Sequence, residues 1–404
     1  MEMCKLSYEF FVEEESKYWF SAFDHNGLYC RDIETQEISF LGIIPGELEY
    51  QFRLYSSIFK VGQKIILVPH NASGIAVYDI GYKKFSKINL KAVSEFGEYK
   101  IAMEQHKFWV ATLYNNEIFM MPCNYPAMVI LNVETSQLIY ITDFVKKLDK
   151  NCLINQPYIT QIKVENEMAY CSCGCINAIV QINLQTYASE IIIVPSSSDG
   201  YCGIIKLSDD FWLAPVMSGG VVKYCSETNK VVEYNDYPNG FECPAVPFQK
   251  IYRYNNSLLL LPALANQFVL LNIKTGKMQK IEIISDIISR EKNKNVYSYD
   301  RATAYSYHNN ILSFVSGTDY GIYRYDLEKG KLTSGFLYTN YQYPEKQNLY
   351  YLGKYFNMER IFFEESDSYH LKDFVKCIEL SLLKYSIIKI QRDRVGEKIY
   401  EYLK

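Results

Sequence analysis

The sequence has no uninterrupted apolar stretch that approaches the ~20 residues of a membrane-spanning helix. Residues 1–20 also lack the basic start and apolar centre of a secretory signal. No basic stripe occurs, and 42 Lys and Arg residues nearly balance 46 Asp and Glu residues, which excludes general nucleic-acid binding through phosphates. We therefore expect a cytoplasmic, monomeric protein that binds neither a membrane nor nucleic acid.

Signatures of catalysis and of cofactor binding are also missing. The five histidines form no metal-binding helix pair, and neither a nucleophile-elbow motif nor a glycine-rich phosphate loop occurs. We therefore expect no cofactor and no catalytic motif.

The eleven cysteines are odd in number and have no regular spacing, which indicates reduced thiols. Cys171, Cys173 and Cys175 alternate along one predicted strand. One-residue gaps splay the sulfurs too far apart for a tetrahedral zinc site. We interpret these three as small core residues, with metal binding as the alternative, and we expect no metal.

A short apolar segment recurs along the chain. Its copies are KYWFSA (17–22), KIILVP (64–69), EIFMMP (117–122), EMAYCS (167–172), DFWLAP (210–215), SLLLLP (257–262) and NILSFV (310–315). Successive copies end 43 to 53 residues apart, and each is too short for a helix. Their branched and aromatic residues are typical of buried strands, so the sequence is a repeat of strand units.

A polar residue follows the end of each copy at a nearly constant distance of 10 or 11 residues. These residues are Asp32, Asp79, Asn132, Asn183, Cys225, Asn272 and Asp326. An Asp or Asn followed by an apolar residue, any residue and Thr favours a turn, because the short side chain accepts hydrogen bonds from backbone amides further along. A third strand follows each turn and an apolar stretch precedes each hairpin, so each unit is a four-stranded meander.

Four antiparallel strands in each unit predict one blade of a β-propeller. A blade cannot bury both of its faces alone, whereas stacking blades around an axis buries them and leaves only short edges. We therefore predict an all-β fold, a seven-bladed β-propeller of four-stranded antiparallel blades, over residues 1–348. Blade 1 takes its first strand from 8–14, and blade 7 ends near Leu337.

Residues 349–404 are predicted to form a short, mostly helical C-terminal extension that packs on the propeller. The segment 349–363 is a candidate closing strand, with packing underneath the ring as the alternative. The segment 371–385 has apolar residues at helical spacing, which predicts an amphipathic helix.

The order of apolar strand, turn, second strand and (Asp or Asn)-apolar-x-Thr resembles the blades of kelch-type and quinoprotein-type repeats, and of uncharacterised bacterial seven-bladed propellers. The resemblance covers residues 7–337. Only Gly219-Gly220 approaches the kelch diglycine, and the Gly-His and Trp-Asp pairs of WD40 blades are missing. With strands labelled A to D in each blade, the resemblance implies that ligands bind where the B–C and D–A loops surround the channel mouth. It implies no catalytic residues.

Polar residues occupy several B–C turns. They are His25, His70, Asn71, Asn124 and Tyr125. One interpretation is that some of them line a polar pocket, and the alternative is that they are turn formers. His25 and His70 belong to adjacent blades, so we consider that they approach one another as a catalytic pair, with two surface polar residues as the alternative.

Charged and aromatic residues mark the starts of A strands near the axis. They are Arg53, Tyr158, Tyr201, Asp300 and Arg301. Such a ring at the mouth fits an anionic or sugar-like ligand, and the alternative is mutual ion pairing, since buried charges need partners. The long D–A connections 90–107, 142–157 and 284–298 are candidates for binding or are decorative loops, and two of them contain predicted short capped helices at 142–151 and 285–294.

We therefore predict a binding or interaction module that presents a face at the channel mouth to a protein or to a small-molecule or sugar ligand. The alternative is an enzyme of lyase or hydrolase type, or a carbohydrate or small-molecule binder, that acts in the central funnel. The first function predicts an exposed apolar or aromatic patch. The second predicts a concave pocket with converging polar groups.

Overall fold

Each repeat unit of the sequence forms one four-stranded antiparallel sheet in the computed structural model, and the strands of each sheet follow one another in chain order. The structure describes residues 4–14, 16–47, 51, 53–217, 219–242, 246–290 and 300–339, which lie within the unit Met1–Gln342. The predicted C-terminal extension at 349–404 lies outside the described residues, so its strand and helix stay predictions.

A short strand, β1 (Cys4–Leu6), precedes the blades. Blade 1 consists of β2 (Phe11–Glu14), β3 (Lys17–Ser21), β4 (Leu28–Asp32) and β5 (Ile38–Gly42), and blade 2 of β6 (Tyr55–Val61), β7 (Lys64–Pro69), β8 (Gly74–Asp79) and β9 (Lys84–Asn89). Blade 3 consists of β10 (Phe108–Tyr114), β11 (Glu117–Pro122), β12 (Met128–Asn132) and β13 (Leu138–Ile141), and blade 4 of β14 (Ile159–Glu165), β15 (Met168–Cys173), β16 (Ala178–Asn183) and β17 (Ser189–Ile193).

Blade 5 consists of β18 (Tyr201–Leu207), β19 (Asp210–Pro215), β20 (Val221–Cys225) and β21 (Lys230–Tyr234). Blade 6 consists of β22 (Phe248–Tyr254), β23 (Ser257–Pro262), β24 (Val269–Asn272) and β25 (Met278–Lys280). Blade 7 consists of β26 (Ala302–His308), β27 (Ile311–Ser316), β28 (Ile322–Asp326) and β29 (Lys331–Gly335). The predicted seven-bladed propeller of four-stranded blades is therefore confirmed.

The ring closes between the two ends of the described chain. β1 pairs antiparallel with β30 (Leu337–Thr339) in a separate two-stranded sheet. The Thr303 hydroxyl of blade 7 also donates a hydrogen bond to the Tyr8 carbonyl ahead of blade 1, at 3.4 Å. Blade 1 takes its A strand from the predicted 8–14 region, and the closing pair involves the strand after blade 7.

The B strands are buried on both faces because each has a neighbouring blade on either side. In β7, Ile65 and Leu67 pack toward blade 1, whereas Ile66 and Val68 pack toward blade 3. Seven clusters of buried residues fill the gaps between successive blades. Burying one such side chain stabilises the fold by roughly 1.5–3 kcal/mol. This two-sided burial explains why the repeated segments are continuous apolar runs.

The predicted turn residues accept backbone hydrogen bonds as expected. In blade 4, Asn183 Oδ1 accepts the N–H of Gln185 at 2.9 Å and that of Thr186 at 2.8 Å. The Thr186 hydroxyl then accepts the N–H of Ala188 at 3.4 Å. Equivalent pairs of bonds form at Asp32, Asn132, Asn272 and Asp326. The repeated polar residue therefore closes the C–D turn of most blades.

Helices occupy the long D–A connections. α1 (Asp143–Asn151) matches its predicted range, but no side-chain hydrogen bond caps it. α2 (Glu282–Ile288) starts three residues before the predicted 285–294 and also lacks a side-chain cap. The reason is that the Ser285 hydroxyl accepts the Phe268 N–H at 3.0 Å, so Ser285 lies inside the helix and ties it to blade 6. A short 3-10 helix at Val93–Phe96 occupies the third connection.

Candidate functional site

Hydrogen bonds join neighbouring blades at one end of the ring, between the start of an A strand and the B–C turn of the preceding blade. The Arg53 N–H donates to the Phe23 carbonyl at 2.7 Å, and the Lys107 N–H donates to the His70 carbonyl at 2.8 Å. The same bond runs from Tyr158 to Cys123, from Val246 to Val216 and from Arg301 to Ala263. The two sets of predicted site residues therefore share one face, which we call the mouth.

A β-bulge interrupts the A strand of blades 2 to 6 next to its start. The inserted residues are Ser56, Trp109, Thr160, Cys202 and Gln249. A bulge bends its strand and redirects the extra side chain, and bulges are frequent at barrel rims and next to active sites. The repeated bulge therefore gives each of these blades one position of special orientation just inside the mouth.

Arg53 lies between two carboxylates at the mouth. Its Nε donates to Glu9 Oε2 at 2.8 Å and its Nη2 to Glu9 Oε1 at 2.5 Å, while Nη2 also donates to Asp300. The guanidinium lies over the Phe23 and Trp109 rings, 5.3 and 5.0 Å from their centroids. These contacts link blades 1, 2, 3 and 7. Mutual ion pairing thus describes Arg53 and Asp300, and the guanidinium is already engaged by carboxylates.

The cluster of Glu9, Arg53 and Asp300 has more acid than base. Glu9 is only 6% exposed, and its burial, with the nearby Asp300 charge, raises the pKa of Glu9 to about 7 although Arg53 opposes the shift. Burial disfavours the charged guanidinium, but Glu9 and Asp300 outweigh this and raise the pKa of Arg53. When Glu9 is ionised, two carboxylates share one guanidinium. Protonating Glu9 removes that excess negative charge.

His70 is fully buried and forms a pair with His106. Its Nδ1 lies 2.9 Å from the Phe108 carbonyl and its Nε2 lies 2.9 Å from His106 Nδ1. A carbonyl only accepts, so neutral His70 carries its proton on Nδ1 and accepts a hydrogen bond from His106 at Nε2. Burial, His106 and Arg53 together hold the pKa of His70 well below its usual range. The lone pair of His70 is therefore occupied, and His106 is the more exposed ring.

His25 and His70, which we considered as a catalytic pair, have different contacts in the structure. His25 Nδ1 lies 2.8 Å from Asp24 Oδ1, and its Nε2 lies 2.8 Å from the Tyr29 hydroxyl. These contacts stay within blade 1, whereas the His70 ring contacts residues at the start of blade 3. His25 is itself buried, at 3% exposure.

The other predicted turn residues mostly hold loops in place. Asn71 Oδ1 accepts the His106 N–H at 3.2 Å, and Asn124 Nδ2 donates to the Ile101 carbonyl at 3.0 Å. The Tyr125 hydroxyl donates to the Lys91 carbonyl at 2.6 Å. The turn-forming interpretation therefore describes the contacts of these three side chains.

The predicted residues at the A-strand starts also have partners at the mouth. The Tyr158 hydroxyl donates to Asp149 of α1 at 2.5 Å, and burial first, then this bond, raises the pKa of Tyr158. The Tyr201 hydroxyl lies 2.5 Å from the Ser196 hydroxyl. Arg301 Nη1 donates to the Ile288 carbonyl of α2 at 3.2 Å. Tyr158 and Arg301 therefore anchor the two helices of the long connections.

A cavity of about 330 Å³ lies in the channel, among A-strand residues just beyond the mouth cluster. Its polar lining residues are Ser57, Gln161, Lys163, Gln249 and Lys250, and its aromatic ones are Phe10, Trp109 and Tyr252. Gln161 Nε2 donates to the Gln249 carbonyl at 2.6 Å across the wall. Six blades contribute to one partly open, mixed polar and apolar space, which is the usual form of a small-molecule site.

Lys250 is the most unusual member of the cavity wall. Its Nζ donates to the Tyr305 carbonyl at 3.5 Å, and no carboxylate within the described ranges pairs with it. Burial lowers the pKa of Lys250 to about 8. A buried ammonium without a counter-ion is costly.

Sequence reasoning missed the cavity residues and Glu9. Lys250 interrupts FQKIYRY, the apolar stretch that forms the A strand of blade 6. A charged residue within a stretch predicted to form an inner strand is the sequence signal that could have identified Lys250. Trp109 occupies the corresponding region of blade 3, and only the bulge explains its direction.

Among the described residues, no group of three or more His, Cys, Asp or Glu side chains is arranged to hold a metal ion. Cys171, Cys173 and Cys175 are fully buried in the cluster between blades 3 and 4, as core residues. No helix in the described part of the chain is long and apolar enough to cross a membrane.

No family model matches the chain, and no curated protein matches its sequence. Solved structures do match. Virginiamycin B lyase from Staphylococcus aureus, as a catalytically inactive form with quinupristin, has a TM-score of 0.54 and 13% identity over 79% of this chain and 96% of that chain. The computationally designed Ika8 protein has a TM-score of 0.51 and 12% identity over 83% and 88%.

An extracellular domain described as part of a one component system of B. thetaiotaomicron has a TM-score of 0.51 and 12% identity, covering 79% of this chain and 38% of that one. At such low identity these likenesses establish the fold alone. The chain is therefore a seven-bladed β-propeller whose structural neighbours have varied functions, and neither kelch nor WD40 character is established.

Proposed function

We propose that the axial cavity binds a small anionic organic molecule, with Lys250 as its counter-ion. The charge of the cavity wall is the observation that supports this most directly. Lys163 and Lys250 line the cavity, and its described lining contains no Asp or Glu. A buried ammonium normally has a carboxylate partner. A bound anion would supply the partner that the described carboxylates do not provide.

Protonation of Lys250 ties this binding to pH. With a pKa of about 8, the amine is mostly protonated at neutral pH and mostly neutral about one pH unit above that value. An anion within hydrogen-bond distance favours the charged form and raises that pKa. Affinity is therefore expected to fall as the pH rises through about 8, and binding at that pH is expected to take up protons.

The apolar walls favour an anion with a carbon skeleton. Trp109 and Tyr252 supply aromatic surface, and Ile162, Ile204 and Ile205 supply aliphatic surface. A volume of about 330 Å³ is at the lower end of the usual range for small-molecule sites, roughly 300–1,000 Å³. A small aromatic or aliphatic carboxylate or phosphate monoester fits this combination better than a polymer.

The test is thermal unfolding of the purified protein with benzoate, succinate, phenyl phosphate and inorganic phosphate, each against a neutral analogue such as benzamide or phenol. At least one organic anion is expected to raise the unfolding midpoint of the wild type, since a ligand that binds only the native state stabilises it. Lys250→Met keeps an unbranched side chain that is one atom shorter, removes the charge and should abolish the effect.

Lys206→Met is the matched control. Lys206 also lies on an inner strand, but its Nζ is 3.2 Å from the Glu165 carboxylate. This variant should retain the response to the anion. Equal stabilisation of the wild type and Lys250→Met, or an equal response to the neutral analogue, would show that the proposal is wrong.

A second candidate is an enzyme of lyase or hydrolase type at the mouth cluster, next to the axial cavity. The pKa of Glu9, about 7, favours it because a general acid or base works best when its pKa is near the working pH. Virginiamycin B lyase shares the fold at 13% identity. The test is mass-spectrometric detection of turnover on a panel of esters, lactones and peptides. Glu9→Gln should lower kcat by roughly 10²–10⁴ while the anion still stabilises the variant.

A protein partner at the mouth has less support. Met103, Leu153 and Ile283 are exposed apolar side chains on the D–A connections, at 40%, 58% and 45% exposure. They lie on three different connections, and single exposed apolar residues are common on monomers. The cytoplasmic location and the monomeric state stay predictions.

A further inference from the structure

Two cysteine thiols lie together at the end of α1, away from the axial cavity. Cys152 directly follows α1, and its N–H donates to the Asp149 carbonyl at 3.4 Å. Cys175 lies in the B–C turn of blade 4. The Leu153 N–H donates to the Cys175 carbonyl at 2.8 Å, and Cys152 packs against the core cluster that contains Cys175. The backbone bond at the next residue and the shared cluster therefore hold Cys152 and Cys175 close together.

The two thiols have unequal environments. Cys175 is fully buried, whereas Cys152 is partly exposed at the edge of the core cluster between blades 3 and 4. The neighbouring Cys175 thiol lowers the pKa of Cys152, and Lys100 acts in the same direction. Cys152 and burial raise the pKa of Cys175. Cys152 is thus the accessible, more readily ionised thiol, and the thiolate is the nucleophile in thiol oxidation.

We propose that Cys152 and Cys175 are a redox-active pair that forms a reversible disulfide, with Cys152 reacting first and Cys175 resolving. With hydrogen peroxide as the oxidant, the Cys152 thiol ionises and its thiolate attacks one peroxide oxygen. The O–O bond breaks, a sulfenic acid forms, and the departing hydroxide takes up the released proton as water. The Cys175 sulfur then attacks the Cys152 sulfur, the S–O bond breaks, and the departing hydroxide takes up the Cys175 proton and leaves as a second water. Two thiols lose two electrons in total, and one peroxide is reduced to two waters.

The other described cysteines differ from this pair. Cys171 and Cys173 are completely buried, and burial raises the pKa of both thiols. Cys30 is about as exposed as Cys152, but burial raises its pKa and no second thiol in the described residues is hydrogen-bonded to it. Cys30 is therefore a matched control for exposure without a resolving partner.

A disulfide at this place would tie the end of α1 to the B–C turn of blade 4. Asp149 in the last turn of α1 accepts the Lys100 N–H at 2.9 Å and the Tyr158 hydroxyl at 2.5 Å. Oxidation would therefore restrain two D–A connections at the mouth. We expect the oxidised protein to resist limited proteolysis within 142–157 more than the reduced protein does.

The experiment oxidises the reduced full-length chain with increasing hydrogen peroxide, blocks free thiols with N-ethylmaleimide and maps the peptides by mass spectrometry. A Cys152–Cys175 disulfide should appear at the lowest peroxide concentration and disappear with dithiothreitol. Cys175→Ala should accumulate a Cys152 sulfenic acid that dimedone traps, and Cys30→Ser should behave as the wild type does.

Circular dichroism checks that each variant is folded, and the mapping of the wild type stands even if Cys175→Ala does not fold. Two results would overturn the proposal. One is that both thiols remain labelled by N-ethylmaleimide while Cys30 is oxidised. The other is that Cys152 forms its disulfide with a different cysteine.

Discussion

The acidic cluster at the mouth leads to a prediction about pH: a variant that lacks one carboxylate of this buried cluster should gain stability relative to the wild type as the pH rises. The change is Glu9→Gln, which keeps the shape of the side chain and removes its titration. Arg53 retains a partner in the variant because Asp300 still accepts a hydrogen bond from it. The variant cluster then has one carboxylate for one guanidinium.

The magnitude follows from the pKa of Glu9, about 7 against an ordinary value of 4.5. A carboxyl whose pKa is raised on folding keeps its proton longer in the native state than in the unfolded chain. Its contribution to stability is complete below about pH 4.5 and is lost as the pH rises through about 7. The difference amounts to about 3 kcal/mol in the free energy of unfolding. Glu9→Gln should therefore gain about that much relative to the wild type between pH 4.5 and pH 8.

The assay is urea unfolding at both pH values and constant ionic strength, followed by tyrosine fluorescence and far-UV circular dichroism. Any packing or hydrogen-bond cost of the amide is common to both pH values and cancels in the difference. Glu14→Gln, which changes an exposed carboxylate at the end of β2 that pairs with Lys60, controls for the loss of one surface charge. If Glu9→Gln lost stability relative to the wild type as the pH rose, Arg53 would dominate over burial and the reasoning would be refuted.

Three further predictions concern the scaffold. A Cβ on Gly200 would lie 2.1 Å from a backbone oxygen of blade 4, so Gly200→Ala should lower the free energy of unfolding by about 1–3 kcal/mol. Gly335→Ala is the control, because open space surrounds Gly335 and the free energy of unfolding should not fall. Asn272→Ala removes two turn hydrogen bonds and should cost about 1–2 kcal/mol in chemical unfolding. Tyr158→Phe leaves Asp149 without its 2.5 Å donor and should cost about 1.5–3 kcal/mol, with faster proteolysis at α1.

The blade architecture could be predicted because the interactions that build it recur in every unit. Each B strand is apolar on both faces since it has two neighbours, and most C–D turns use an Asp or Asn side chain at the same position. α2 could not be placed correctly from its sequence because Ser285 suggests a cap, whereas its hydroxyl is used in a tertiary hydrogen bond to Phe268. Such a contact between distant residues leaves no local signal.

The repeat pattern places Arg53 and Asp300 near the starts of A strands, but it does not predict the contacts that join them. Their common partner Glu9 was not recognised because it lies 44 residues from Arg53 along the chain. The importance of His106 likewise depends on its bond to His70, 36 residues earlier. Only the closed ring brings these residues together.

The repeated bulge separates the part of the chain that specifies the fold from the part available for function. Its inserted residues occupy the same place in five blades, yet they have different chemistry: Ser56, Trp109, Thr160, Cys202 and Gln249. A position needed only for folding would carry similar residues in each unit, as the B strands do. Trp109 and Gln249 line the cavity, and Lys250 is adjacent to one of them. The variation among bulge residues is therefore an independent reason to expect the ligand in the channel, where Trp109 and Gln249 lie.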